Sequence, residues 1–409
     1  MNKNYSFIEN GSVTSPAGFK ASGIAAGLKI SGAPDMAMIF SDTPANFSVA
    51  FTSCVFAAAP VLLGRERAAK QDTLRAVVVN SGNANACTGQ AGLENARKTC
   101  EAAARELAVK PEDIIVSSTG RIGVQLPMKI ITEGVKKAAA ALAYDAGAEA
   151  AAAIMTTDTV PKEAAVKVSL GTGEITIGAM TKGAGMIDPK LRVPHATMLC
   201  YVTTDARIDN SLLRDLLGRG VENSFNRITI DGDMSTNDTT LIMANGVSGV
   251  EVKSGTEDAE IFYNALQALL QQLAHAMVMD GEGATKFVTV YIENAGNEAA
   301  ARACAEAIAN SLLCKTAWFG CDPNWGRIVA ALGYAGVDFD PNRVNIYYDD
   351  LPVVVQGGNA GTPEVELAEI LKKREFSITV DMNAGSSRYW VWTCDISYEY
   401  IKINAEYHT

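Results

Sequence analysis

Histidine is scarce in this chain, with three in 409 residues, at 195, 275 and 408. No Ser–His–Asp triad can be assembled from so few. The eight cysteines are scattered and form no CxxC pair, so no structural zinc spacing is present. Free thiols in a reducing compartment are the expectation. Basic charge is also short: the net charge is −11 and no long basic run occurs. That excludes nucleic acid and anionic membrane as partners. An anionic small molecule would have to be held by a local cluster of donors. Long apolar runs are missing too. The longest, such as FAAAPVLLG (56–64), fall well short of the about 18–20 residues of a membrane span. The first residues carry no apolar h-region. A cytoplasmic protein is expected.

What is present is a globular composition, 48% apolar and 20% charged, with 35 glycines. The length suits two domains or one large one. RAVVVNSGNANACTG (75–89) reads as a buried strand entering a Gly/Asn turn, and LENARKTCEAAAREL (93–107) as an amphipathic helix. PEDIIVSSTGRIG (111–123) is a second strand ending in a loop. A looser echo follows at 287–313, strand then Ala-rich helix, and at 315–333, read as strand, loop and helix. Residues 164–185 form a hairpin about a Gly-Thr-Gly turn. Helices are expected near 210–224 and 258–279, and a β-rich stretch from VNIYYDD to INAEY. Strands and helices in this alternation give a layered α/β fold. With no Pro/Ser linker, the division expected is 1–285 and 286–409, at GEGATK (281–286).

Several stretches can carry chemistry. SSTGRIG (117–123) is a strand-end loop whose backbone N–H groups can stabilise an oxyanion, although on these residues alone an ordinary strand-to-loop turn is the favoured reading. TKGAGMID (181–188) sets Lys182 beside a Gly-x-Gly turn without Walker A spacing. NRITIDGDMSTNDTT (226–240) begins like a calcium loop, then fails at Thr236 and Ile242. It reads as turn and capping residues, with a site-lining role as the second option. Glu282 sits in the tight GEGATK loop, and FGCDPNWGR (319–327) is a structural keystone or a binding element.

RVPHATMLCYVTT (192–204) is a strand with an Ala196–Thr197 pair at its mouth. Thr197 there is either a strand-former or a nucleophile. His195 is the base nearest to it in sequence. A cut before Thr197 would supply another base, the freed α-amine. Its unperturbed pKa of about 7.7–8.0 lets it take the hydroxyl proton itself.

KGAGMIDP with ATML, SFNRITIDGDMSTND, DGEGATKF, KTAWFGCDPNWGRI and YIKINAEYHT together resemble the ornithine acetyltransferase family of arginine biosynthesis, the bifunctional glutamate N-acetyltransferases. The likeness runs through nearly the whole chain. It implies a helix–sheet–sheet–helix sandwich of the N-terminal-nucleophile type with a smaller C-terminal α/β domain. It implies self-cleavage between Ala196 and Thr197 into an alpha chain 1–196 and a beta chain 197–409. Thr197 would take acetyl from N-acetylornithine as an ester and give it to glutamate. Thr119 and Gly120 would form the oxyanion hole. Thr156 (favoured over Thr157), Lys182, Glu282, Asn404 and Thr409 fall on substrate-contact positions. No cofactor or metal is implied beyond acetyl-CoA as an alternative donor. The cleaved pairs would associate, as a heterotetramer of two pairs. The family pattern has a shorter run before the nucleophile than DPKLRVPHATM provides here. An N-terminal-threonine amidase or aminopeptidase, and an uncleaved silent homologue, stand as the other readings.

Overall fold

The computed structural model describes residues 4–188, 190 and 198–406. Two mixed sheets organise them. The larger runs in the order Tyr5–Ile8, Lys162–Leu170, Gly173–Lys182, Leu199–Thr204, Thr239–Ala244, Met36–Phe51, Thr73–Asn83, Ile114–Arg121, with Phe19–Ile24 paired to Met36–Phe51. The long Met36–Phe51 strand joins two halves. Its first part pairs antiparallel with Phe19–Ile24 and Thr73–Asn83, and its last part, Asn46–Phe51, with Thr239–Ala244. The register shifts between Phe40 and Ala45. Pro44 lies in that interval and has no N–H to give a ladder, so the strand bends there.

The bend lets the sheet fold over itself. One apolar cluster contains Val77, Val79 and Ile115 from one half and Tyr201, Leu241 and Met243 from the other. The outer face of one half is covered by helices Asn210–Glu222 and Glu257–Met279. The outer face of the other is covered by Gly89–Leu107 and Met128–Ala140. The layers are therefore helix, sheet, sheet, helix, as expected. Local chemistry sets the helix starts. The Asp209 carboxylate accepts from Leu212 N and the Thr256 hydroxyl from Ala259 N, satisfying donors a helix start leaves free. In Asn210–Glu222 the buried Leu212, Leu213, Leu216, Leu217 and Val221 share one face.

The smaller sheet has the order Gly358–Asn359, Leu351–Val355, Asn345–Tyr348, Glu375–Asp381, Phe287–Ala295, Ser387–Cys394. It carries its own apolar core, with helices Glu298–Ala309 and Trp325–Gly333 packed on it.

The first βαβ passage is observed. Thr73–Asn83 and Ile114–Arg121 pair parallel across helix Gly89–Leu107. The echo fails in its second half. Residues 312–319 are a helix, Leu312–Phe319, not a strand, because the Ser311 hydroxyl accepts from Cys314 N and starts a turn. The strand Phe287–Ala295 instead pairs parallel with Glu375–Asp381. The β-rich reading of the C-terminal stretch also stops early, since Tyr398–Glu406 is helical. The polar 226–240 segment hides the start of a central strand, Thr239–Ala244.

Candidate active site

A cavity of about 160 Å³ opens where the two halves of the larger sheet meet the GEGATK loop and the last helix. Thr119, Gly120, Thr156, Lys182, Glu282 and Asn404 all line it. These six come from five separate parts of the chain, and the fold brings them together. Met198 and Leu199, which follow the Ala196–Thr197 bond, form another part of the wall. Ala196, Thr197 and Thr409 lie outside the described residues, as do His195 and most of the extended run before Thr197.

Thr119 and Gly120 end the Ile114–Arg121 strand. Gly120 has φ +125°, and a Cβ there would stand 2.5 Å from the Gly82 carbonyl carbon. Glycine is required for both reasons. The loop is clamped from behind by Asn237. Its side-chain amide donates to Ala84 O at 2.5 Å and to Ser118 O at 2.8 Å. The result is a fixed stretch of backbone at the cavity wall, of the kind that can meet an oxyanion.

Lys182 ends the Gly173–Lys182 strand, only 8% exposed. Its ammonium donates to the Thr156 hydroxyl at 2.8 Å and the Thr119 hydroxyl at 3.3 Å. Thr157 lines the cavity as well, without that contact to Lys182. Below Lys182 is the buried Asp158. Its carboxylate accepts from Gly183 N at 2.7 Å, Thr156 N at 3.0 Å and Lys162 Nζ at 2.8 Å. Burial would push that carboxyl up, but the charges of Lys182 and Lys162 prevail and hold it well below the usual carboxylate range.

Glu282 is anchored by its own N–H, which donates to Ala184 O at 2.8 Å. Its carboxylate accepts from Asn404 Nδ2 at 2.7 Å. Gly185 leaves room for it: a Cβ at 185 would stand 2.5 Å from the Glu282 carboxyl carbon.

Residues 20–409 match the model of the ArgJ family. The chain belongs to that family. It is 46% identical over 402 residues to the arginine biosynthesis bifunctional protein ArgJ of Symbiobacterium thermophilum, covering 98% of this chain and 99% of the relative. It is 48% identical over 395 residues to the protein of the same name from Geobacter sulfurreducens, covering 96% and 99%. It is 43% identical over 411 residues to the glutamate N-acetyltransferase of Methanocaldococcus jannaschii, covering 98% and 100%.

The structure of this ArgJ-family chain also decides between the two readings of the 226–240 segment. Ser235, Thr236, Asn237 and Asp238 line the cavity, so the weaker option for the STND segment is the observed one. Its Asp231 does structural work beside them, accepting from Met186 N at 2.7 Å and Ile187 N at 2.9 Å. The keystone reading of FGCDPNWGR holds for Arg327, which donates to Leu313 O at 2.6 Å and Thr316 Oγ1 at 3.1 Å, away from the cavity. No helix among the described residues is long and apolar enough to cross a membrane.

Proposed function

We propose that this chain transfers an acetyl group from N-acetylornithine to glutamate through an ester on Thr197, after cutting itself between Ala196 and Thr197. The products are ornithine and N-acetylglutamate. What carries the reading is the convergence of Thr119, Gly120, Thr156, Lys182, Glu282 and Asn404 on one cavity whose wall includes Met198 and Leu199, in a chain of the ArgJ family.

Each group then has a task. Thr197 attacks the acetyl carbonyl, and its α-amine takes the hydroxyl proton. The backbone at Thr119 and Gly120 meets the oxyanion of the tetrahedral intermediate. Lys182, steadied by the Thr156 hydroxyl, supplies the counter-charge for the α-carboxylate that both substrates carry. Glu282, held by Asn404, pairs with the δ-ammonium of ornithine. Thr409 completes the substrate contacts. The acyl-enzyme survives only if water is kept out until glutamate arrives. In this reading no cofactor takes part, and acetyl-CoA is the alternative donor to test. The chain divides functionally into 1–285, bearing the cut, and 286–409, bearing Asn404. The cleaved pairs assemble as a heterotetramer.

Intact mass spectrometry of the denatured protein tests the first step. Chains of 1–196 and 197–409 are expected, and a single 43.2 kDa mass would sink the mechanism. The Thr197→Ala variant should lose transfer. Acetate release from N-acetylornithine without glutamate, at a rate matching transfer, would point to a hydrolase instead.

A further inference from the structure

Thr156 steadies Lys182, yet no regular element carries it: helix Gly147–Ile154 has ended, and the next strand begins at Lys162. Its place is set by the peptide unit before it, and both polar ends of that unit are held by charged side chains. The Thr156 N–H donates to the Asp158 carboxylate at 3.0 Å. The Met155 carbonyl, on the other edge of the same plane, accepts from the Lys29 ammonium at 2.8 Å. A peptide unit is planar, so two charged anchors fix its orientation and the direction in which the Thr156 side chain leaves it.

Lys29 is itself built into place. It belongs to the loop 25–35 between the strands Phe19–Ile24 and Met36–Phe51. Four successive N–H groups of that loop, from Ala26 to Lys29, donate to the buried Asp35 carboxylate at 2.5–3.0 Å. The Asp35 carbonyl accepts in turn from Ser81 N at 2.9 Å, and the Ser81 hydroxyl donates to Ala153 O at 2.7 Å. The loop is thereby tied to the strand and the helix end between which the Lys29 side chain runs. Its stem passes Gly82, where an added Cβ would stand 3.4 Å from Lys29 Cγ. Its ammonium ends on two carbonyls, Met155 O and, at 2.7 Å, Pro34 O. Burial lowers the pKa of this ammonium and so does the charge of Lys182, and Asp35 and Asp158 do not offset them. A cation is thus drawn partly out of water onto backbone oxygen, within reach of a second cation. A solvated surface lysine would do neither.

We propose that Lys29 is a positioning residue of the α-carboxylate pocket: by holding the Met155 carbonyl it aims the Thr156 hydroxyl at Lys182. The proposal rests on the reading of Lys182 as the counter-charge for the carboxylate that both substrates carry. Without Lys29 the peptide unit keeps one anchor, the Asp158 carboxylate, and can turn about it. The hydroxyl then no longer meets the Lys182 ammonium at 2.8 Å. A plain cap on the helix end is the other use of a lysine there. It would move stability and leave substrate binding alone.

The test is steady-state kinetics with each substrate varied in turn, on Lys29→Met, Thr156→Val and the variant carrying both, with thermal melting as the check on folding. Lys29→Met keeps the stem and loses the ammonium. Its KM should rise about tenfold for N-acetylornithine and for glutamate alike, the scale of one hydrogen bond to a charged group. Its kcat should change little, the mark of lost binding common to ground and transition states. Thr156→Val leaves Lys29 no hydroxyl to aim, so the two changes together should raise KM barely more than Thr156→Val alone. Wild-type KM values in a folded Lys29→Met protein overturn the proposal. So do rises that multiply in the double variant, since Lys29 then acts by its charge and not through Thr156. So does a Lys29→Met protein without measurable turnover, folded or not, since the lysine then serves more than substrate binding. Lys182→Met separates this proposal from the reading beneath it. Wild-type KM values there remove the counter-charge role of Lys182 and this proposal together. Raised values there, beside wild-type values in Lys29→Met, remove this one alone.

Discussion

Asn404 donates to the Glu282 carboxylate across 2.7 Å, joining the last helix to a loop 122 residues earlier in the chain. Neither residue is held by the apolar core. The helix carrying Asn404, Tyr398–Glu406, buries no side chain. It is tied at its start by Ser397, whose hydroxyl donates to Gly283 O at 2.6 Å and accepts from Tyr400 N at 3.3 Å. The Glu282 carboxylate is thus oriented by a helix fixed through a few polar contacts.

Asn404→Ala should therefore act on binding more than on chemistry. A hydrogen bond to a charged group is worth about 1.5–3 kcal/mol, so KM for N-acetylornithine should rise by about tenfold or more. Glutamate carries no δ-ammonium, and its KM should move less. Steady-state kinetics with each substrate varied in turn would show the split. An equal rise for both would mean that Glu282 does not read the δ-ammonium.

At Gly120 the expected loss is in kcat. An alanine there must shift the backbone, since its Cβ would meet the Gly82 carbonyl carbon at 2.5 Å and its φ of +125° is strained. Displacing an oxyanion donor costs about 10²–10³ in rate. Thr119→Ala keeps its backbone N–H and loses only a hydroxyl that accepts from Lys182 at 3.3 Å, so it should lose far less. Comparable kcat in the two variants would remove the oxyanion role from this loop.

The loops of this site were easier to read from sequence than the elements that carry them. SSTG, KGAG and GEGAT are short, glycine-marked stretches that residue type singles out, while their roles came from the family resemblance and not from the residues alone. Asp238 was hidden because STND has turn composition, and nothing local says that a central strand begins at Thr239. The long strand Met36–Phe51 was hidden by Thr43 and Pro44, which break its pattern. YEYIKINAE alternates polar and apolar residues as a strand would, yet it is an exposed helix. With no side to bury, periodicity carries no information there, and the Ser397 cap decides.

The ion cluster beneath Lys182 should be costly to break. The Asp158 and Lys162 side chains are 0% and 1% exposed, and Lys162 also meets Asp280 at 2.5 Å. Removing one partner of a buried pair costs about 3–5 kcal/mol. Asp158→Ala should melt markedly lower than wild type, and it should lose activity even when folded, because Gly183 N and Thr156 N lose their acceptor. The folded carboxyl titrates below its ordinary value of 3.8. Its contribution is present above that value and is lost as pH falls through the folded pKa. The melting difference between variant and wild type should therefore persist at neutral pH and shrink under acid.

Asp188 gives the opposite sign. It is largely buried, and burial raises its carboxyl to about 6 from 3.8, against the ammonium of Lys190 at 3.6 Å. A raised folded pKa favours the protonated form in the folded state. The stability it contributes is full below 3.8 and is lost as pH rises through about 6. Each pKa unit corresponds to about 1.4 kcal/mol, so the loss is about 3 kcal/mol at most. Asp188→Asn removes this titration while keeping the shape. At pH 4 the variant and wild type should melt together. Above pH 7 the variant should melt higher, by an amount that grows between those limits and then levels off. Thermal melts across that range would check it. A variant that melts lower than wild type at pH 7 would mean that the ionised carboxylate is held by Lys190 more strongly than burial opposes it.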